Sequence, residues 1–549
     1  LTQLNWRLWS VGYRDVEIKK IKIPPIRNDF DFKVYKNCFN LRSIVATQIG
    51  PHFLDRALPI CDINDQHTLV HGLCSRVGFE HGRMPINLYR SLRGFVRRFI
   101  RRYLRPLPPG SVSFVDWLEN TNYPKWRKDE LTLINDSFRD LRPHKPKTSI
   151  KGFIKLEQYD TFKPARMICS RHDEFKCYAG PFAQAIEKQV FNLPYFIKHI
   201  PVEERPAFLN ANLATGGVVF AETDYTRWES NFSTELLKAC ELQLYGYMMR
   251  HYPKEYSVIR RTLLGINKID FNRHGVRAKI RATRMSGEMF TSLGNGFTNL
   301  MVFLWNCARQ GIYPKGVVEG DDGLFALPHK INVSDINNLG LTLKIDYVNH
   351  FGSASFCGLR CGESLHVLRD PVKSMLKLGW TMSQYRFSKR TTIQLGLLRA
   401  KALSLYCEVP HCPVLGILAR RVIHLTDTYK PIWDHDQYMI TQYASVMKSS
   451  FRVEPFLVNE SDRLLFSELY HIAPEQQILL ENEFMCIKNP RAPYSKIVHD
   501  VLCPNKTHVD YFNSFVAYTR EVPKEVSTPW PRTKIMPRNQ IAQEELRFD

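Results

Sequence analysis

The stretch Val317-Val318-Glu319-Gly320-Asp321-Asp322-Gly323-Leu324-Phe325 is an apolar run, a tight turn with two adjacent carboxylates, and a second apolar run. It reads as a β-hairpin. Gly320 and Gly323 flank a bend where bulky residues would crowd the backbone, and Phe325 with Leu327 can bury one face of the returning strand. Upstream, Gly217-Val218-Val219-Phe220-Ala221 predicts another strand, running into Glu222, Asp224 and Glu229 instead of ordinary turn residues. If the two acidic strand ends are neighbours in one antiparallel sheet, Asp224 and Asp321 meet at a point too acidic to stay ionised without compensation. A divalent cation supplies it. Mg²⁺ takes carboxylate and phosphate oxygens, and a pair about 4 Å apart can clamp the attacking and leaving oxygens of an in-line displacement. The chemistry this favours is phosphoryl or nucleotidyl transfer.

The chain around this centre has 549 residues, enough for several lobes, and its 44% hydrophobic content excludes long disorder and collagen. Seventy-six Lys and Arg against 54 Asp and Glu give a net charge of +22 and favour a polyanionic partner, nucleic acid before acidic membrane. Thirteen cysteines without a repeating frame argue for a reducing compartment. Cys407, His411 and Cys412 invite a zinc reading, with a strained loop between Pro410 and Pro413 as the alternative. The first residues, from Leu1, lack a signal-peptide pattern, and the triplet Asn505-Lys506-Thr507 matters only in a secreted chain. Met289 to Ala308 is charge-free, but Thr291, Ser292, Asn295, Thr298, Asn299 and Asn306 interrupt it and argue against a transmembrane span.

Three further patterns carry chemistry. Arg90 to Arg105 sets arginines, among them Arg97, Arg98 and Arg101, between apolar residues spaced three and four apart. This predicts an amphipathic helix whose basic side is a solvated face, an RNA contact, or a surface on an acidic bilayer with the apolar side inserted. Thr291, Asn295 and Asn299 recur every fourth position and predict one polar helix face opposite Phe297, Leu300, Met301 and Leu304. Lys155, Lys163 and Arg166, with Arg171, read on their own as solvated surface cations, though such residues can also bind phosphate oxygens. Leu141 to Lys147 reads as a connection into a new unit near residue 150, and helical patterns dominate from about residue 371, including Thr392 to Leu405.

In their order along the chain these segments resemble the palm and fingers motifs of viral RNA-dependent RNA polymerases of positive-strand RNA viruses, of the tombusvirus-like and nodavirus-like group. The first palm motif falls on Asp224 and Glu229 and the Ser-Gly, Thr and Asn motif on Ser286, Gly287, Thr291 and Asn295. The catalytic hairpin falls on Gly320, Asp321 and Asp322, and the next palm motif on Leu339 to Lys344. Phe153 to Glu157 with Lys163 to Ile168 resembles the basic fingers motif, Ser355 to Leu359 the hairpin that touches the product strand, and Arg369-Asp370-Pro371 the junction to the thumb. The motifs cover about residues 150 to 375, with suggestive similarity at Trp117 to Leu131. One departure is Glu229, where Asp is usual, so sugar readout is less secure than metal binding.

The resemblance implies an α+β right-hand fold with fingers, a palm of antiparallel sheet plus helices, and a helical thumb. The expected divisions are 1–150 as an N-terminal region bridging fingers and thumb, 151–216 as fingers, 217–240 as palm, 241–283 as a fingers insertion, 284–372 as palm, and 373–549 as thumb and C-terminal region. It implies two Mg²⁺ ions, with Mn²⁺ a substitute, on Asp224 and Asp321, and Asp322 tuning the site. Lys344 is the expected general acid for pyrophosphate. Lys155, Lys163, Arg166 and Arg171 are expected on the triphosphate, and Ser286, Asn295 and Glu229 at the ribose with Thr291 supporting them. Arg97, Arg98, Arg101, Arg284 and Gly287 are expected against RNA. The implied partners are single-stranded template and nascent RNA, ribonucleoside triphosphates and viral replication-complex proteins, in host cytoplasm at membrane-associated complexes, with peripheral attachment at most. Cys357 reads as buried apolar filler. An alternative is a catalytically impaired polymerase-fold scaffold that binds RNA, suggested by Glu229; a reverse transcriptase is disfavoured by Gly320.

Overall fold

Alternation of apolar and polar residues places Val219–Tyr225 at the inside of a four-stranded antiparallel sheet, as seen in a computed structural model of the chain. The structure describes residues 3–9, 17–22, 25–36, 47–53, 60–61, 63, 66–140, 145–157, 164–201, 204–214, 219–362, 364–433, 453 and 455–502. Lys163, Gly217, Val218, Leu141 and the triplet Asn505-Lys506-Thr507 lie outside them. The fold is a mixture of helices and sheets.

The predicted hairpin forms from strands Lys315–Glu319 and Asp322–Leu327, joined through Gly320 and Asp321, with Glu319 opposite Asp322. Gly320 has φ +62°, a backbone conformation that costs a residue without Cβ little. The order across the sheet is Lys315–Glu319, Asp322–Leu327, Val219–Tyr225, Leu343–Val348. The central strand runs further than its sequence suggested. Glu222 and Asp224, expected just past its end, lie within it because both neighbouring strands hydrogen-bond to it and because these two residues alternate onto its less buried face.

Behind the sheet packs the predicted polar-striped helix, Thr291–Ala308, almost wholly buried. Phe303 stacks on Phe325 with ring centroids 3.8 Å apart, fixing the helix to the returning strand of the hairpin. A five-stranded sheet stands beside this unit, in the order Asp31–Val34, Val276–Arg281, Ile266–Phe271, Ile150–Ile154, Met167–Arg171. Beyond Pro371 the described elements are helices, apart from the short strand Trp380–Thr381. They include the predicted Thr391–Glu408, and their apolar sides form a second core around Leu398, Leu418 and Phe484.

The arginine-rich segment is the helix Ile86–Tyr103. Its apolar face, with Leu88, Leu92, Val96, Phe99 and Ile100, is buried in the same core as Thr291–Ala308, and Ser91 accepts a hydrogen bond from Trp305 Nε1 at 3.1 Å. This corrects the bilayer reading of the segment: the apolar side that was to insert into lipid is already covered by protein. No described helix is long and apolar enough to cross a membrane.

Candidate active site

Register decides which side chains meet. Gly323 pairs with Thr223, so the next position out sets Asp322 beside Asp224, and Lys344 pairs with Asp224 from the other side. Paired residues on neighbouring strands project to the same face. Asp322, Asp224 and Lys344 therefore form a row across three strands, with Asp321 in the turn at its end. One row inward, Glu222 is opposite Asp346 and accepts a hydrogen bond from Ser355 N at 2.8 Å.

The electrostatics of this row are those of crowded carboxylates. Burial, then Asp321 and Asp224, push the Asp322 carboxyl up to about 6 from its ordinary 3.8, against a hydrogen bond from Cys357 and the charge of Arg166. Asp321 is raised by burial and by Asp224, while the backbone hydrogen bond at Asp321, Arg166 and Arg76 pull it back. Glu229 is raised by burial and by Asp321, and relieved by a hydrogen bond from Ser286 and by Arg284 and Arg76. These mutual influences bring Asp224, Asp321, Asp322, Glu229, Ser286 and Arg166 into one neighbourhood.

The rest of the basic group divides. Lys155 and Arg166 extend from adjacent strand ends, where Lys155 N donates to Arg166 O at 2.8 Å, and both approach Glu157, at 2.6 and 3.9 Å. Arg171 does not join them. Its side chain is buried, with Nε donating to Glu288 at 2.6 Å and Nη2 to Asn267 at 2.8 Å. Arg284, expected against RNA, is fully buried as well, paired to Glu241 and, at 2.9 Å, to Glu288. Both expectations are corrected by one physical fact: a desolvated guanidinium needs counter-charge, and these two have found carboxylates inside the protein, with Arg284 Nε left without a partner.

Gly287 is exposed at φ +92°, and a Cβ there would stand 2.9 Å from Ile168 Cγ2. The close approach lets Cys169 N donate to Ser286 O at 2.6 Å, which hangs the Ser286 loop from the basic strand Met167–Arg171. Thr291 Oγ1 donates to Met285 O at 3.0 Å and ties the same loop to the start of the long helix. Asn295, one turn on, is 7% exposed and its Oδ1 has no hydrogen-bond partner. Arg97, Arg98 and Arg101 are on the exposed side of their helix, Arg97 donating to Gln243 at 2.7 Å.

Three participants were not assigned from the sequence. Asn299 Nδ2 donates to Gly320 O at 3.2 Å and to Asp322 O at 3.0 Å, so a buried amide clamps the carbonyls on both sides of Asp321. The predicted polar stripe held this residue, though not its partner. Arg76, whose Nε donates to Pro164 O at 2.8 Å, reaches the field of Asp321 and Glu229 from a helix with no distinguishing pattern. Cys357, expected to be buried apolar filler, is exposed as a residue at a hairpin tip with φ +52°, but its thiol is turned in to Asp322, so it is shielded at the site and not in the core. A short connection between strands Ser355–Phe356 and Leu359–Cys361 leaves it no core to enter. Cys412 is buried near Val414 at φ +69°, which suits the strained-loop alternative.

Among the described residues no group of three or more His, Cys, Asp or Glu side chains is arranged to hold a metal ion. The donor set at the acidic row, in which Asp224 raises Asp321 and both raise Asp322, nevertheless suits a hard cation completed by water and phosphate, since Mg²⁺ is usually held by one or two protein carboxylates.

No protein-family model matches the chain. It is similar to an RNA-directed RNA polymerase of Greasy grouper nervous necrosis virus, 25% identical over an alignment of 251 positions that covers 42% of this chain and 25% of that protein. The chain thus matches about a quarter of that relative's length. The likeness is distant, and it is to a viral RNA-directed RNA polymerase.

Proposed function

We propose that the chain is a template-directed RNA polymerase of a positive-strand RNA virus, working by nucleotidyl transfer at the acidic row. The observation that carries this reading is the convergence of Asp224, Asp321 and Asp322 on one edge of the sheet, with Arg166 and the Glu229–Ser286 pair beside them. The distant similarity to a viral RNA-directed RNA polymerase supports it. In this reading the four-stranded sheet is the palm, the strands bearing Lys155 and Arg166 belong to the fingers, and the helices after Pro371 to the thumb.

Asp224 and Asp321 would hold Mg²⁺, which when bound lowers the pKa of an attacking 3'-hydroxyl and stabilises charge on the phosphate it attacks. Arg166 and Lys155 position the triphosphate by charge and hydrogen bonding. Lys344, in the row with Asp224, would serve as the proton donor to departing pyrophosphate. Glu229, Ser286 and Asn295 line the place for a 2'-hydroxyl, and the partnerless Asn295 Oδ1 has an acceptor to spare. A site built around that hydroxyl loses a bond when a deoxynucleotide enters. The exposed Arg97, Arg98 and Arg101 are basic residues for an RNA backbone.

The test is synthesis on a defined RNA by purified protein, with Mg²⁺ or Mn²⁺, comparing ribonucleotides with deoxynucleotides. Asp321→Asn is expected to reduce incorporation by several orders of magnitude with RNA binding retained. Mg²⁺ is expected to raise the melting temperature of the wild type and not that of Asp224→Asn. Salt-sensitive RNA binding with no extension under any of these conditions would favour the catalytically impaired scaffold instead.

A further inference from the structure

A cleft of about 410 Å³ opens between the hairpin Ser355–Cys361 and the helices Pro371–Leu378 and Thr391–Glu408, on a different side of the hairpin from the acidic row. Ser355 and Gly358 line it, while Cys357 between them faces Asp322. Five cationic side chains border the cleft: Arg360, Arg369, Lys373, Lys377 and Lys401. Among the described residues two carboxylates border it, and both are engaged: Glu408 pairs with Arg369, and Asp370 caps the helix, accepting from Lys373 N at 3.0 Å with Lys373 Nζ 3.9 Å away.

Five positive charges less two negative leave a formal +3 around a space the size of a small ligand. The arrangement has a cost. Lys373 and Lys377 stand one turn apart on the same helix, where like charges repel. Lys401 Nζ is drawn into the same corner by the carbonyls of Lys377 and Trp380, at 2.7 and 2.5 Å, so its charge is fixed at the cleft wall and not left to swing into solvent. Hydroxyls from Ser355, Ser404 and Tyr470 add neutral hydrogen-bonding groups. Several cations around one space match a chain of phosphates better than a single carboxylate.

We propose that this cleft is a second anion site that binds a small linear polyphosphate, either inorganic or the triphosphate of a nucleotide, separately from the acidic row. The experiment is isothermal titration calorimetry of the full chain in EDTA with sodium tripolyphosphate, with ATP, and with a short single-stranded RNA. Tripolyphosphate is expected to bind the wild type, about tenfold or more weakly to Lys377→Glu, and unchanged to Asp321→Asn. If ATP binds more tightly than tripolyphosphate with the same dependence on Lys377, the source is a nucleotide; equal affinities point to the phosphate chain alone, and either supports the site. Lys377→Gln, a milder change at an exposed position, is expected to weaken binding about threefold and serves if the charge reversal disturbs folding. Absence of tripolyphosphate binding, binding indifferent to Lys377, or binding of RNA alone would overturn the proposal, the last in favour of a strand-contacting surface.

Discussion

Two clusters of charge lie a short way apart in this molecule and obey opposite rules. In the cluster of Arg171, Glu288, Arg284 and Glu241, two guanidinium groups face two carboxylates with almost no exposure to water, and Tyr245 donates a further bond to Glu241 at 2.8 Å. In the row of Asp321, Asp322 and Asp224 the carboxylates are crowded by one another and partly open to solvent. The first cluster is balanced in charge, two guanidinium groups against two carboxylates, although Arg284 Nε has no hydrogen-bond partner, and it joins the basic strand to the Ser286 loop. The second is unbalanced, and its cost is met only when something positive arrives. A balanced cluster serves architecture; an unbalanced one is where a ligand is expected.

Breaking the balanced cluster should cost the most. Arg284→Met strips the cationic partner from Glu241, leaving it only the Tyr245 hydroxyl, and takes one of the two cations from Glu288; it is expected to lower unfolding stability by about 3–5 kcal/mol, read by urea denaturation. A loss of activity with unchanged stability would show that Arg284 works outside the protein interior after all. Next comes the clamp between the long helix and the turn. Asn299→Ala removes two hydrogen bonds, each about 0.5–1.5 kcal/mol, and frees the backbone around Asp321. Turnover should fall by about 10- to 100-fold with KM little changed, as for a residue that orients others. An unchanged kcat would remove the positioning role.

The smallest effect has the opposite sign. Because the Asp322 carboxyl is held up at about 6, above its ordinary 3.8, the stability it contributes is present when protonated and lost as pH rises through about 6. Without divalent cations, Asp322→Asn should therefore raise the melting temperature by a few degrees at about pH 8, by about half as much at about pH 5, and hardly at about pH 3. A destabilised variant at the higher pH would mean that the row is not crowded in the way its geometry implies.

The contrast also marks what could be read from residues alone. Asp321 and Asp322 were legible because carboxylates between apolar runs are poor hairpin residues unless something uses them, and Asp224 because its strand repeats the pattern. The long helix was legible from its period. The fates of Arg171 and Arg284 were not, since an arginine is judged by its acceptors and theirs, Asn267, Glu288 and Glu241, come from other parts of the chain. Local sequence showed charge, while the fold decided whether that charge was spent. Cys357 escaped for a similar reason: a small apolar-looking side chain at a two-strand corner takes its surroundings from the strand it leans on.

The position of Asp224 on an interior strand has a consequence for how this chain can change. Both edges of Val219–Tyr225 are zipped to neighbours, so successive side chains are committed to opposite sides. One residue added between Val219 and Asp224 would turn the carboxylate toward the core helix and bring a greasy neighbour out in its place, whereas two added residues would preserve facing and merely shift depth. Length variation here is tolerable only in even steps, a parity rule written into the backbone.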